Sequence, residues 1–127
     1  MSNRQDRQSE AWPEAQRVGV IGAGAWGTAL ARHLARKGHG VTVWAYEPDV
    51  VESINRNREN RRFLPGVALP PSLSATQRLV EAVQDRDWLL FAVPSHAARS
   101  VLQELGPLIT SPIPVVSATK GIEERTL

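Results

Sequence analysis

The stretch VGVIGAGAWGTALARHLARKGHGVTVW, Val18 to Trp44, sets Gly22, Gly24 and Gly27 between an apolar β-branched run and a helical pattern. Glycine loses more conformational entropy on folding than any other residue, so its placement here marks a backbone that turns sharply or is approached closely. The run Arg17 to Ile21 reads as a strand buried on both faces, as in a parallel sheet. Ala25 to Lys37 carries Ala29, Leu30 and Leu34 at helical spacing, and Gly38 and Gly40 stop it. Val41 to Tyr46 reads as a second buried strand, which completes a β-α-β unit with a right-handed crossover. That unit constrains the chain to an α/β, Rossmann-type, doubly wound and mostly parallel sheet.

The remainder continues the alternation. Pro48 to Asn57 suits a second helix, with Pro48 in its first turn and Val51 and Ile54 on an apolar edge. The next stretch, RNRENRRFLPGVALPP, holds Pro65, Gly66, Pro70 and Pro71 and reads as an irregular loop. Crowding of Arg56, Arg58, Arg61 and Arg62 predicts that it stays solvated unless it meets an anion. Ser72 to Thr76 reads as a short strand, Gln77 to Gln84 as a short helix, and Trp88 to Val93 as a buried strand closed by Pro94. Ser95 stands as an N-cap for a helix running to about Leu105, and Pro114 to Ala118 supplies a further β-rich run.

The chain of 127 residues allows about one domain. We divide it into a loose tail, residues 1–16, and a dinucleotide-binding unit, residues 17–127. Cysteine is absent, which excludes disulfides and thiolate metal sites. His33, His39 and His96 are scattered without metal-ligand spacing, so no metal is expected. The net charge of +2 and pI near 9.7 reflect a cation set dominated by arginine and do not point to nucleic acid. The tail, MSNRQDRQSEAWPEAQ, lacks the apolar centre of a secretory signal, and no apolar run approaches the ~20 residues that span a bilayer. The expected location is cytoplasmic, with no membrane partner.

The glycine spacing has a mechanical reading. Gly22 permits the turn off the strand, Gly24 lets a pyrophosphate lie against the main chain, and Gly27 lets the helix pack closely on the sheet. Free N–H groups at the helix start, with its dipole, attract the diphosphate. An acid at the end of the second strand decides which dinucleotide binds, because it accepts hydrogen bonds from the ribose and repels a 2′-phosphate. Here Trp44 and Ala45 occupy that end. Glu47 lies near the expected distance but precedes Pro48 and reads as a helix-start anion, so NAD and NADP both stay open. Tyr46 has two readings, stacking on adenine or covering the core. Trp26 walls a nicotinamide pocket or caps the domain. Ser95 is most simply a cap and His96 has no orienting acid, so no triad is proposed. An ammonium at Lys120, past the last strand, holds a phosphate or polarises a carbonyl, or is an ordinary surface lysine.

Four stretches, GAGAWGTALA, INRNRENRRFLPG with its following LP, FAVPSHAAR and SATKGIE, together resemble NAD(P)-dependent glycerol-3-phosphate dehydrogenase of the bacterial type. The likeness runs from about Arg17 to Glu124. It implies hydride transfer between NAD(P)H and dihydroxyacetone phosphate to give sn-glycerol 3-phosphate, for glycerophospholipid synthesis. It implies that Ala25 and Trp26 line the dinucleotide site, that Val93 and Pro94 wall the nicotinamide, and that Lys120 contacts both cofactor and substrate. A basic residue of the family just past the second strand is replaced by Tyr46, which puts an NADP preference in doubt. The loop around Asn60, Phe63 and Pro65 is expected to cover the site entrance. The family continues through a helical C-terminal domain that supplies the proton-donating lysine, so none of the residues here is assigned as catalytic and that lysine is expected beyond Leu127. The chain is accordingly expected to be an amino-terminal portion, with a homodimer open for the full-length family. Two alternatives stand beside this reading: a non-catalytic NAD(P)-binding module, and another β-hydroxyacid or 6-phosphogluconate type reductase, which the FLPG and TKGIE matches disfavour.

Overall fold

A computed structural model of the chain describes residues 14–118. Five strands, β1 (Arg17–Ile21), β2 (Gly40–Trp44), β3 (Leu73–Thr76), β4 (Trp88–Phe91) and β5 (Val115–Ser117), form one parallel sheet in the order β3-β2-β1-β4-β5. Four helices connect them: α1 (Ala25–Arg36), α2 (Pro48–Asn57), α3 (Leu79–Val83) and α4 (Ser95–Leu105), the last followed by a 3₁₀ turn, Gly106–Leu108. The order places β1 at the centre and reverses direction between β1 and β4. Open α/β sheets bind ligands at such a reversal, outside the carboxyl ends of the strands.

Strand alternation sorts the core into two layers. Val18 and Val20 of β1, Val41 and Val43 of β2 and Leu90 of β4 pack with Ala31 and Ala35 of α1 and with Val50 and Ile54 of α2. Ile21, Trp44, Leu89 and Phe91 point to the other face, against Leu79 and Ala82 of α3 and Val101 and Leu105 of α4. Both faces of the central strands are therefore covered, as their continuous apolar composition requires. Gly19 is the close-packing point of the second layer, since a β-carbon there would lie 1.9 Å from the Ala82 carbonyl oxygen.

Several boundaries differ from the sequence reading. Strands β2 and β4 end at Trp44 and Phe91, before Tyr46 and Val93, because the chain leaves the sheet there to form the rim of a crevice. Ser95 is the first helical residue and not the cap: the cap is Pro94, and no side-chain cap hydrogen bond forms. Glu47 is the cap of α2, also without a side-chain cap bond. In the arginine-rich stretch Arg56, Arg61 and Arg62 are exposed, as their charge suggests, and Arg58 is the exception. Arg58, in the left-handed region at φ 56°, ends α2, and its guanidinium Nη1 donates to the Pro70 and Leu73 carbonyls at 3.0 and 2.9 Å.

Asn55 covers the outer edge of β3. Its Nδ2 donates to the Ala75 carbonyl at 2.9 Å and its Oδ1 accepts the Ala75 N–H at 2.8 Å, replacing the partner strand that this edge lacks. On the opposite edge, Val115 and Val116 of β5 are about half exposed.

Candidate functional site

The crevice lies where the carboxyl ends of β1, β2 and β4 meet the start of α1. Gly22 makes the turn off β1 at φ 120°, and its N–H donates to the Trp44 carbonyl at 3.0 Å. A β-carbon at Gly22 would stand 2.6 Å from the Ala92 carbonyl oxygen, so position and conformation both demand glycine. Gly27, in the first turn of α1, is pressed against this turn: a β-carbon there would lie 2.2 Å from the Gly22 carbonyl oxygen. The close approach is thus between the helix and the glycine turn itself, with Ala92 behind it. Gly24 differs from both. It is the exposed N-cap of α1, in extended conformation, and a β-carbon would meet nothing within 4 Å, leaving its surface open for a ligand.

Two cavities adjoin at this point. The larger, about 710 Å³, extends from Gly22–Gly24 past Trp44, Tyr46 and Glu47 on one side and Val93, Pro94 and His96 on the other. The smaller, about 290 Å³, is lined by Gly24, Ala25, Trp26 and Gly27, by Val93, Pro94 and His96, and by Ala118 at the end of β5. Gly24, Val93, Pro94 and His96 border both. Of the residues expected from sequence, Gly22, Gly24, Ala25, Trp26, Gly27, Tyr46, Val93 and Pro94 therefore come together around one crevice. Lys120 lies outside the described residues.

Tyr46 is 78% exposed and Trp26 50%, so neither ring serves mainly as core. The Tyr46 backbone is fixed: its carbonyl accepts from Gln77 Nε2 at 3.1 Å, while the Trp44 indole N–H donates to the Gln77 carbonyl at 2.8 Å. Phe63 reaches the larger cavity from the arginine-rich loop, with the Arg62 guanidinium 5.2 Å from its ring centroid. Arg62 also pairs with Asp49 at 3.1 Å. Glu47 and Glu104 line the larger cavity, and no lysine or arginine does among the described residues. Burial, with Arg17 adding, pushes the Arg86 guanidinium below its ordinary pKa while Asp85 opposes. That cluster sits at the amino ends of β1 and β4, away from the crevice.

Sequence reasoning missed how the loop reaches the glycine turn. Asn60 is fully buried, and its Nδ2 donates to the Ala23 carbonyl at 2.9 Å and to Thr28 Oγ1 at 2.8 Å. The only sequence signal was a short amide residue inside a charged run that otherwise reads as solvated. No group of three or more His, Asp or Glu side chains is placed to hold a metal ion among the described residues.

Comparison with known proteins agrees with this geometry. Residues 17–127 match the family described as NAD-dependent glycerol-3-phosphate dehydrogenase N-terminus. This chain belongs to that family. A glycerol-3-phosphate dehydrogenase [NAD(P)+] from Geobacter sulfurreducens is 51% identical over 112 residues, which is 88% of this chain and 33% of that protein. One from Bacillus mycoides is 47% identical over 110 residues, 87% of this chain and 32% of its own length. The crystal structure of glycerol-3-phosphate dehydrogenase from Coxiella burnetii superposes with a TM-score of 0.80 at 37% identity, covering 85% of this chain and 33% of that one. A ketopantoate reductase from Ralstonia eutropha superposes less well, at 0.67 and 28% identity. The chain thus spans about a third of the length of the glycerol-3-phosphate dehydrogenases it matches.

Proposed function

We propose that this chain is the coenzyme-binding part of a glycerol-3-phosphate dehydrogenase, acting in the cytoplasm on dihydroxyacetone phosphate and sn-glycerol 3-phosphate. The observation that carries the reading is the open main chain at Gly24, set at the sheet reversal between β1 and β4 and at the start of α1. The residues present fit an NAD(P) group. The start of α1, from Gly24, borders both cavities, and Val93 and Pro94 offer an apolar wall common to the two.

In this reading Gly22 makes the turn, Gly24 and Ala25 present N–H groups to the diphosphate, and Gly27 lets the helix start approach. Tyr46 borders the adenosine end, with its hydroxyl and ring available to the base. Trp26, Val93 and Pro94 hold the nicotinamide end and exclude water. When bound, the nicotinamide supplies or accepts the hydride. Lys120, which follows β5 in the chain, is assigned to contact with coenzyme and substrate phosphate, and this reading assigns the proton donor for the developing alkoxide to none of these residues.

The experiment is a titration of the chain with NADH and NADPH followed by tryptophan fluorescence, beside an assay of dihydroxyacetone phosphate-dependent coenzyme oxidation. Saturable binding with little or no turnover is expected, because this reading assigns neither the proton donor nor most of the substrate contacts to these residues. Failure to bind either coenzyme at millimolar concentration would overturn the reading.

A further inference from the structure

We propose that Asn60 is a positioning residue that sets the orientation of the Ala23–Gly24 peptide and so aims the Gly24 N–H into the crevice. The inference rests on the coenzyme reading above.

A trans peptide is planar, and its carbonyl and N–H point to opposite sides. Fixing one fixes the other. The Ala23 carbonyl accepts two hydrogen bonds from inside the protein, from Asn60 Nδ2 at 2.9 Å and from Thr28 Oγ1 at 3.2 Å. The Gly24 N–H is thereby turned away from Asn60 and Thr28, and no partner for it exists among the described residues. Gly24 itself cannot select this state. With no side chain and nothing within 4 Å of where one would be, it accommodates a reversed peptide as readily, and reversal would present a carbonyl oxygen to an anionic diphosphate.

Asn60 is built for the selection. Its side chain is fully buried and all its main bonds are met: Nδ2 donates to Ala23 and Thr28, and Oδ1 accepts the Phe63 N–H at 3.1 Å. The Phe63 donor requires oxygen on that side, which leaves the NH₂ group for the two acceptors and settles the amide orientation. The Asn60 carbonyl also accepts the Leu64 N–H at 2.8 Å, so the residue is held in its own tight turn. The arginine-rich loop thus reaches the glycine turn through one amide. Phe63, three residues on, lines the same crevice.

The test uses Asn60→Ala and Thr28→Val, the second replacing the hydroxyl by a methyl group of similar size. NADH affinity is measured by calorimetry and the Gly24 amide is followed by ¹⁵N NMR. For the parent, NADH moves the Gly24 amide proton downfield. For Asn60→Ala, NADH affinity falls by at least about tenfold and the Gly24 response is lost while the rest of the spectrum stays dispersed. Thr28→Val gives a smaller loss in both, and decides the matter if Asn60→Ala does not fold. A purely structural role would lower the melting temperature and leave the Gly24 response intact in the folded fraction, which overturns the proposal. A parent chain that binds no NADH overturns the coenzyme reading, a distinct result from a parent that binds and variants that bind equally well.

Discussion

The carbonyl oxygen of Gly22 occupies the space that a side chain on Gly27 would need, 2.2 Å from its β-carbon position. The turn off the central strand and the first turn of α1 are therefore in direct backbone contact. A methyl group on Gly27 would also crowd Ala92, whose Cβ lies 3.3 Å from the same point. Gly27→Ala is expected to destabilise the chain by about 1–3 kcal/mol through overpacking. For a domain of this size each kcal/mol lowers the melting temperature by about 4 °C. Thermal unfolding by circular dichroism checks it, and an unchanged melting temperature would refute the contact.

Gly24 predicts the opposite pattern. Its β-carbon position is empty and its backbone is extended, so Gly24→Val should leave stability within about 1 kcal/mol of the parent. The isopropyl group would occupy the path of the diphosphate. Coenzyme affinity should fall at least about tenfold, or ~1.4 kcal/mol. Equal NADH affinity in parent and variant would place the diphosphate elsewhere.

The larger cavity carries Glu47 and Glu104 and, among the described residues, no lysine or arginine. A 2′-phosphate at the adenosine end would meet the Glu47 carboxylate with no lysine or arginine among the described lining residues to balance it. NADH is expected to bind more tightly than NADPH, by a few-fold to tenfold, since like charges a few ångströms apart in water repel by about 1 kcal/mol. Glu47→Gln should narrow the gap by improving NADPH while leaving NADH little changed. Parallel titrations at low and high salt check this, because the gap should shrink as salt screens it. A variant that discriminates as the parent does would remove Glu47 from the ribose.

Asn55 predicts an edge effect. Replacing it with leucine keeps its size and removes both bonds to Ala75, leaving a backbone N–H and carbonyl of β3 without those partners. The cost is expected at about 1–3 kcal/mol, together with faster aggregation, because the strand edge becomes available to another chain. Light scattering during thermal unfolding separates the two effects. A variant as stable and as soluble as the parent would show that the edge needs no cover.

Much of the fold was legible along the chain. The β-branched run before Gly22, the helical spacing after it and the second apolar run before Tyr46 each carry their own local signal and make one right-handed β-α-β unit, whereas the order β3-β2-β1-β4-β5 comes from the structure, since right-handed crossovers fit more than one order. The sheet ends at Trp44 and Phe91, two residues before the Tyr46 and Val93 that the sequence predicts, since an apolar residue leaving a sheet to wall a crevice looks like one still inside it. Serine favours the cap position, which predicts that role for Ser95, but Pro94 occupies it and Ser95 is the first helical residue.

The sequence by itself determined the α/β alternation and the glycine turn, because both depend on residues within a few positions of one another: periodicity, β-branching and the need for a bare backbone. Tertiary structure alone decided the rest. Whether Asn60 is a solvated loop residue or a buried link to Ala23 depends on contacts 37 residues apart in the chain. So does the pairing of Asn55 with an edge strand 20 residues away. Local composition holds no record of such bonds, since an amide in a charged loop has the same sequence signature whether water or a distant carbonyl satisfies it.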